Sequence, residues 1–120
     1  MVLRYNKGFS LIELMIIIAI IGVLASIAVT QFSLYRKRAY NSSALADLRS
    51  AAAAQEAYHV DNKMYAGLSA SLGPNYGYAS SDGVILTVSG DQNSYTIISN
   101  HPLGDKTYRL TGPGGTVESN

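Results

Sequence analysis

Glu13 is the residue of this sequence whose type and position most clearly call for chemistry. It is the only charged residue in the apolar stretch from Phe9 to Val29. It stands four residues after Phe9, which places it about 6 Å along a helix that rises 1.5 Å per residue. A carboxylate near the end of a membrane span can reach headgroups or water at small cost, whereas one at the centre is expensive. Position near the edge is therefore one explanation for Glu13, and an ion pair is the other.

The eight residues before Phe9 offer the cationic partner. They carry Arg4 and Lys7 and no acid, and they end in Gly8, a pattern that predicts proteolytic cleavage after the glycine. Cleavage would give Phe9 a free α-amino group with a pKa of about 8. Glu13 could pair with the amine of its own chain or with that of a neighbouring copy. An intermolecular pair would set the axial register, since losing either partner leaves the other charge buried and unpaired.

The elements that must position Glu13 begin with the apolar stretch itself. Its length matches the roughly 20 residues that cross a hydrocarbon core about 30 Å thick. A secretory signal peptide is the alternative, with Ser26 and Ala28 as a small-residue cleavage pattern. The stretch exceeds the usual apolar region of about 7 to 15 residues, and no turn signal interrupts it, so a membrane helix is favoured.

Residues 7–14, KGFSLIEL, resemble the processing and assembly motif of type IV pilins, which the pseudopilins of type II secretion share. This resemblance implies cleavage after Gly8 by prepilin peptidase and N-methylation of Phe9. It also implies that Glu13, with Phe9, recruits subunits and sets their register. The expected organisation has four parts: a leader at 1–8, a transmembrane assembly helix at 9–30, an amphipathic half of the same helix at 31–61, and a loop with a small β head at 62–120.

The helix is predicted to continue beyond the membrane, because residues 31–60 contain no proline or glycine and many alanines. Leu45, Leu48 and Ala52 form an apolar stripe that can face a folded head. Four polar residues are assigned to the other sides of the helix: Arg38, Asn41, Arg49 and Glu56. From Ser10 to Val60 such a helix would be about 75 Å long. One small head cannot cover it, so the remainder is expected to meet lipid first and other copies afterwards.

Two residues within the span bear on helix continuity. Gly22 lowers local helix stability or permits close approach of another helix, and it is the expected point of flexibility. Thr30 stands where many pilins have a proline, and it keeps its backbone N–H. A continuous helix, or one loosened only at Gly22, is therefore expected.

Arg36, Lys37 and Arg38 form the densest charge run of a chain whose net charge is only +1. They follow the span while Arg4 and Lys7 precede it, so the positive-inside rule does not decide the orientation. A cluster at the level of the headgroups is one interpretation. Pairing with acids of adjacent copies, such as Asp47, Glu56 or Asp61, and a weak affinity for DNA phosphates are the others. Specific nucleic-acid binding is not expected.

Residues 32–49 also resemble short pilins of metal-reducing deltaproteobacteria, for which a role in extracellular electron transfer has been proposed and disputed. Aromatic residues at interfaces pack helices whether or not electrons move along them, so packing is the default role. The aromatic residues that could form such an interface are Phe32, Tyr35, Tyr40, Tyr58 and Tyr65.

The C-terminal part predicts an α+β fold, with the long helix packed against an antiparallel meander of about three strands. The strands are expected at 84–89, 95–99 and 107–111, each with alternating apolar residues. Residues 66–82 are expected to form a loop, and the tail from 112 onward is expected to be poorly ordered.

No catalytic or cofactor site is expected. His59 and His101 are the only histidines and cysteine is absent, so no pattern of metal ligands is present; both histidines are expected at the surface or at a helix end. Asp91 and Asn93 could offer oxygens to calcium, but a polar turn explains them equally well. No nucleophile has an orienting base.

These features predict a structural subunit of a type IV pilus, serving attachment, twitching motility or electron transfer. Its expected partners are copies of itself, prepilin peptidase, the inner-membrane assembly machinery and, before assembly, membrane lipid. The expected location is the inner membrane for the precursor and then an extracellular filament. A type II secretion pseudopilin is the alternative, followed by a membrane-anchored binding module that never polymerises.

Overall fold

The computed structural model describes residues 6–120, and the chain divides into two units, residues 1–34 and 35–120. A single α-helix, α1, runs from Leu11 to Asn62 and passes through both. Its ends lie within two residues of the predicted ones. The helix is unbroken at Gly22 and at Thr30, as expected for a chain that lacks proline there.

In the first unit all described residues, 6–34, are exposed in the single chain. By length and composition, α1 is the one described helix that could cross a membrane. The hydroxyls of this apolar segment bond back to the helix: Ser26 donates to the Gly22 carbonyl at 2.8 Å, and Thr30 donates to the Ile27 carbonyl at 2.8 Å. Such bonds satisfy polar groups where water is absent.

The second unit contains a four-stranded antiparallel sheet in the order β1-β2-β3-β4. Its strands are Ile85–Gly90 (β1), Tyr95–Asn100 (β2), Thr107–Gly112 (β3) and Val117–Ser119 (β4). In the register, Val88 pairs with Ile97 and Ile97 with Leu110, which lines up the buried residues of three strands. The predicted α+β fold and the meander are therefore confirmed.

Strand β4 adds a fourth strand to the predicted meander of about three, and it corrects the expectation of a poorly ordered tail. The backbones of Thr107 and Asn120 exchange two hydrogen bonds of 3.0 Å, which close the β3–β4 pair. All three residues of β4 are exposed. A strand with no buried face has no alternation of apolar and polar residues that would mark it in the sequence. What forms β4 is its pairing with the free edge of β3, which is a tertiary contact.

The core lies between the sheet and the second half of α1. Leu48 and Ile97 are fully buried at its centre. The predicted stripe is only partly right: Leu45 and Ala52 are half-buried and pack at the margin. The buried face of the helix consists instead of Asn41, Ala44, Asp47, Leu48, Ala51, Ala54 and Gln55.

The connection between α1 and β1 is not wholly irregular. It contains a turn of 3-10 helix, Ser69–Ser71, and a short helix α2, Gly73–Tyr76. Pro74 stands in the first turn of α2, and Gly77 ends it in the left-handed region with a φ of 75°. This proline and glycine placement is favourable at the two ends of a helix. Leu72 lies between the two turns and is fully buried.

Candidate functional site

Glu13 lies in the first turn of α1, where it forms a reciprocal pair with Ser10. The Ser10 backbone N–H donates to Glu13 Oε2 at 2.9 Å, and the Glu13 N–H donates to Ser10 Oγ at 3.3 Å. This arrangement is a capping box, which satisfies two backbone donors that the start of a helix leaves without partners. It holds the carboxylate toward the N-terminal end of the helix, on the side of Phe9.

The capping box is a role of Glu13 that the sequence analysis missed. Its signal is present in the sequence, because a serine followed three residues later by glutamate is the usual pattern. The carboxylate is also favoured there by the helix dipole, whose positive end lies at the N-terminus. The single chain therefore already gives Glu13 a hydrogen-bond donor.

Gly8 and Phe9 precede the helix without regular secondary structure, and both are exposed. Phe9 is 85% exposed, and a Cβ added at Gly8 would meet nothing within 4 Å. A peptide bond in such a setting is open to a protease. The first five residues of the predicted leader lie outside the described part of the chain.

The apolar side chains around Glu13 are exposed on all sides of the helix. Ile12, Leu14 and Ile16 each keep more than half of their surface open in the single chain. Gly22 lies nine residues farther along, and a Cβ added there would meet nothing within 4 Å. This surface can be covered by lipid or by other helices.

In the head, three buried polar residues of α1 each hold one distant segment of chain. Asn41 Nδ2 donates to Asp105 Oδ1 at 2.7 Å, and Asn41 Oδ1 accepts from the N–H groups of Asp105 and Lys106. The bond from Asn41, together with nearby Lys37, lowers the pKa of the Asp105 carboxyl. The placement of Asn41 on an outer side of the helix was therefore wrong.

Asp47 and Gln55 act in the same way. Asp47 accepts from the Ser81 N–H and hydroxyl at 2.7 Å each, so it is not an exposed acid open to another copy. Gln55 is fully buried and exchanges two hydrogen bonds of 2.8 Å with the backbone of Ala66. Nothing in the local sequence marks these residues as buried.

The predicted aromatic residues fall into separate places. Phe32 and Tyr35 are exposed on α1, at 64% and 63%. Tyr40 stacks on His101, with ring centroids 4.3 Å apart, and Tyr58 meets the edge of Tyr76 at 5.2 Å. Tyr65 is buried in the core of its own head.

Tyr65 joins a small cluster near the end of α1. Its ring lies 4.4 Å from His59 and 4.8 Å from Tyr95. Burial raises the pKa of both tyrosines, to about 12 for Tyr95, and the carboxylate of Glu56 adds to the effect. A carboxylate beside a phenol favours the neutral, hydrogen-donating form, so both hydroxyls stay protonated at neutral pH.

The histidines and Asp91 serve the fold. His101 is buried, which corrects the expectation of a surface position, and its Nδ1 accepts from the Leu103 N–H at 3.0 Å. Asp91 Oδ1 accepts from the N–H groups of Asn93 and Ser94, and these bonds lower the pKa of Asp91. The described residues contain no cluster of three potential metal-ligating side chains.

Comparison with known proteins gives the arrangement its context. Residues 3–29 match the prokaryotic N-terminal methylation motif. The chain is 36% identical to the type IV wide pilus major component of Thermus thermophilus, over 98% of this chain and 91% of that protein. It is 38% identical to the type IV major pilin of Myxococcus xanthus over 61% of this chain, which covers 36% of that larger protein.

A second group of similar proteins comes from secretion systems. The chain is 30% identical to the type II secretion system core protein G of Klebsiella pneumoniae, over 98% of this chain and 92% of that protein. Four observations point to the same family. They are the methylation motif, the long helix with its capped glutamate, the small antiparallel head, and the similarity to a pilus component over nearly the whole length. This chain belongs to the type IV pilin family.

Proposed function

We propose that this protein is the structural subunit of a type IV pilus filament, stored in the inner membrane before assembly and exported to the cell surface. The observation that carries the proposal is Glu13, a single acid held at the N-terminal end of an apolar helix whose surface is exposed all around. The similarity of the whole chain to a major pilus component supports the same role. A catalytic role is not part of the proposal.

The exposed helix supplies the driving force. In lipid, apolar side chains gain little by leaving the bilayer, so helices associate through packing and through polar contacts. Once the helix is withdrawn from the membrane, each apolar side chain that becomes buried is worth about 1.5 to 3 kcal/mol relative to water. Copies of the same helix offer a matching surface.

Glu13 would set the axial register between neighbouring helices. Prepilin peptidase would cleave after Gly8, the new amine on Phe9 would be methylated, and the amine would pair with Glu13 of a neighbouring copy. The capping box supports this role, since it directs the carboxylate toward the N-terminal end. A charged carboxylate can accept several hydrogen bonds, so the Ser10 bond and the pair with the amine are compatible.

Two variants separate the charge of Glu13 from its role in the capping box. Glutamine also suits a capping box, so Glu13→Gln keeps the cap and removes the charge. Ser10→Ala weakens the cap, by about 0.5 to 2 kcal/mol, and keeps the charge. We expect Glu13→Gln to abolish surface filaments while the membrane pool remains, and Ser10→Ala to keep filaments at a reduced level.

The measurement is electron microscopy of sheared surface fibres, immunoblotting of the membrane pool, and N-terminal sequencing of the fibre subunit. The expected first residue is methylated Phe9. Normal filament yield from Glu13→Gln would refute the role of the charge. Fibres whose subunit begins at Met1 would refute processing.

A pseudopilin of type II secretion is the second candidate, because the similarity to core protein G also extends over nearly the whole chain. Deletion of the gene separates the two. A pilin deletion should remove surface fibres and leave protein secretion intact. A pseudopilin deletion should block secretion of exported enzymes into the medium.

A further inference from the structure

Three consecutive cations, Arg36, Lys37 and Arg38, follow the apolar segment of α1. We call them the basic collar. All three are exposed. Successive residues of an α-helix are turned by about 100°, so the three side chains span about 200° around the axis. The headgroup layer of a bilayer surrounds a helix completely, so it can meet all three side chains at once.

The spacing along the helix agrees with that layer. From Leu11 to Val29 the helix advances about 27 Å, close to the thickness of a hydrocarbon core of about 30 Å. Arg36 follows Val29 by about 10 Å of helix. The headgroup region adds about 5 to 8 Å on each side, and long basic side chains can bend back toward it. The collar residues therefore begin just outside the headgroup layer, and their side chains can reach its phosphates by bending back along the helix.

Tyrosines hold the two arginines near the helix. Arg36 Nη2 donates to the Tyr40 hydroxyl at 3.0 Å. The Arg38 guanidinium lies 5.9 Å from the centre of the Tyr35 ring. Tyrosine is favoured at membrane interfaces, where its ring meets lipid and its hydroxyl meets water. Arginine presents donors in a planar fork that matches phosphate.

Among the acids of the head, Asp105 lies near one collar residue, since the charges of Lys37 and Lys106 help to lower the pKa of its carboxyl. Asp105 is already bonded to Asn41. Asp47, which lies on the same half of α1, is buried and bonded to Ser81. The collar therefore keeps a net positive charge.

We propose that the basic collar binds the phosphates of anionic phospholipids in the leaflet where α1 leaves the membrane, and so sets the depth of the stored subunit. This contact belongs to the unassembled protein. It requires neither polymerisation nor the pairing of Glu13, so it stands or falls separately from the proposed filament.

The test uses the full chain reconstituted at low density in phosphatidylcholine vesicles. The probes are spin-labelled phosphatidylglycerol and spin-labelled phosphatidylcholine, whose relative association with the protein is measured by electron paramagnetic resonance. One basic residue near an anionic surface is worth about a fivefold preference. We expect the chain to prefer phosphatidylglycerol at least fivefold, and we expect that preference to fall in 1 M salt because the interaction is electrostatic.

The decisive variant replaces all three collar residues by glutamine, R36Q/K37Q/R38Q, and should reduce the preference to about one. The matched control, R49Q/K63Q/R109Q, removes one lysine and two arginines that are exposed elsewhere and should leave the preference unchanged. Far-ultraviolet circular dichroism checks that both variants keep their fold.

Two results would overturn the proposal. One is a collar variant with the same lipid preference as the parent chain. The other is a preference of the parent chain for phosphatidylglycerol that does not fall in 1 M salt, which would show that the cations do not produce it.

Discussion

At the scale of single residues, several polar side chains of this protein stabilise the fold by hydrogen bonding to backbone groups. Glu13 closes the first turn of α1, and its carboxylate points to the end where a processed amine would lie. Asn41, Asp47 and Gln55 are buried, and each bonds to a backbone donor outside α1. A buried donor or acceptor without a partner costs about 1 to 3 kcal/mol. These contacts are therefore conditions for the head to fold.

Gln55 offers the sharpest test of this idea. Gln55→Leu has a similar volume but leaves the N–H and carbonyl of Ala66 without their buried partners. We expect a loss of about 2 to 4 kcal/mol in the free energy of unfolding, for two unsatisfied groups. The measurement is chemical denaturation of the full chain in detergent. Gln92→Leu, an exposed change, is the control, and equal stability of the two variants would contradict the role of Gln55.

Tyr95 predicts how stability depends on alkaline pH. Its pKa is raised to about 12 by burial first and then by Glu56 and Tyr65, against about 10 in the unfolded chain. Between these values the unfolded state loses the proton while the folded state keeps it, so stability falls as the pH rises. Below pH 10 the contribution is fully present.

The measurement is chemical denaturation from pH 9 to 12, with Tyr95→Phe for comparison. The parent chain should lose stability more steeply than the variant above pH 10. Parallel curves would show that Tyr95 ionises as freely in the folded chain as in the unfolded one. Tyr35→Phe, at an exposed position, should not change the slope.

At the scale of elements, α1 serves two different surroundings. Its apolar segment has the length and composition of a helix that can cross a membrane, and its hydroxyls bond back to the backbone. Its second half presents small and polar residues to the sheet. Ser99 of β2, for example, donates from its hydroxyl to the Ala44 carbonyl at 2.8 Å, a close approach that the small Ala44 side chain allows.

Replacement of Gly22 tests the stability of the apolar segment of α1 separately from the half that packs on the sheet. In the single chain a Cβ at Gly22 meets nothing, so Gly22→Ala should stabilise the helix by about 0.5 to 1 kcal/mol. We expect slower amide hydrogen exchange near residue 22 in micelles. If Gly22 allows close helix contact in the filament, the same variant should give fewer fibres. Ala28→Gly is the reverse control, with faster exchange expected, and unchanged exchange in both variants would contradict the account.

At the scale of the whole molecule, the chain combines a segment suited to lipid with a small head that lacks cysteine and depends on its core. The two units have separate physical requirements. One needs a continuous apolar surface with one acid near its end. The other needs the meander, the buried face of α1 and the polar contacts that join them.

The sequence alone determined the first of these units. A run of apolar residues, a glycine before phenylalanine, and a serine and glutamate three residues apart are local patterns, and each acts within a few residues. The same holds for β1 to β3, whose alternation marks the buried face. The processing and register roles of Gly8, Phe9 and Glu13 remain predictions that only assembly experiments can decide.

Only the tertiary structure decided the rest. Asn41 and Asp105 are 64 residues apart, and a polar residue on a helix is exposed or buried according to whether such a partner reaches it. His101 is buried where Tyr40 stacks on its ring and Gly83 lies beside it, and β4 pairs with the free edge of β3. Each of these depends on contacts between distant segments, which propensity and periodicity within one segment do not describe.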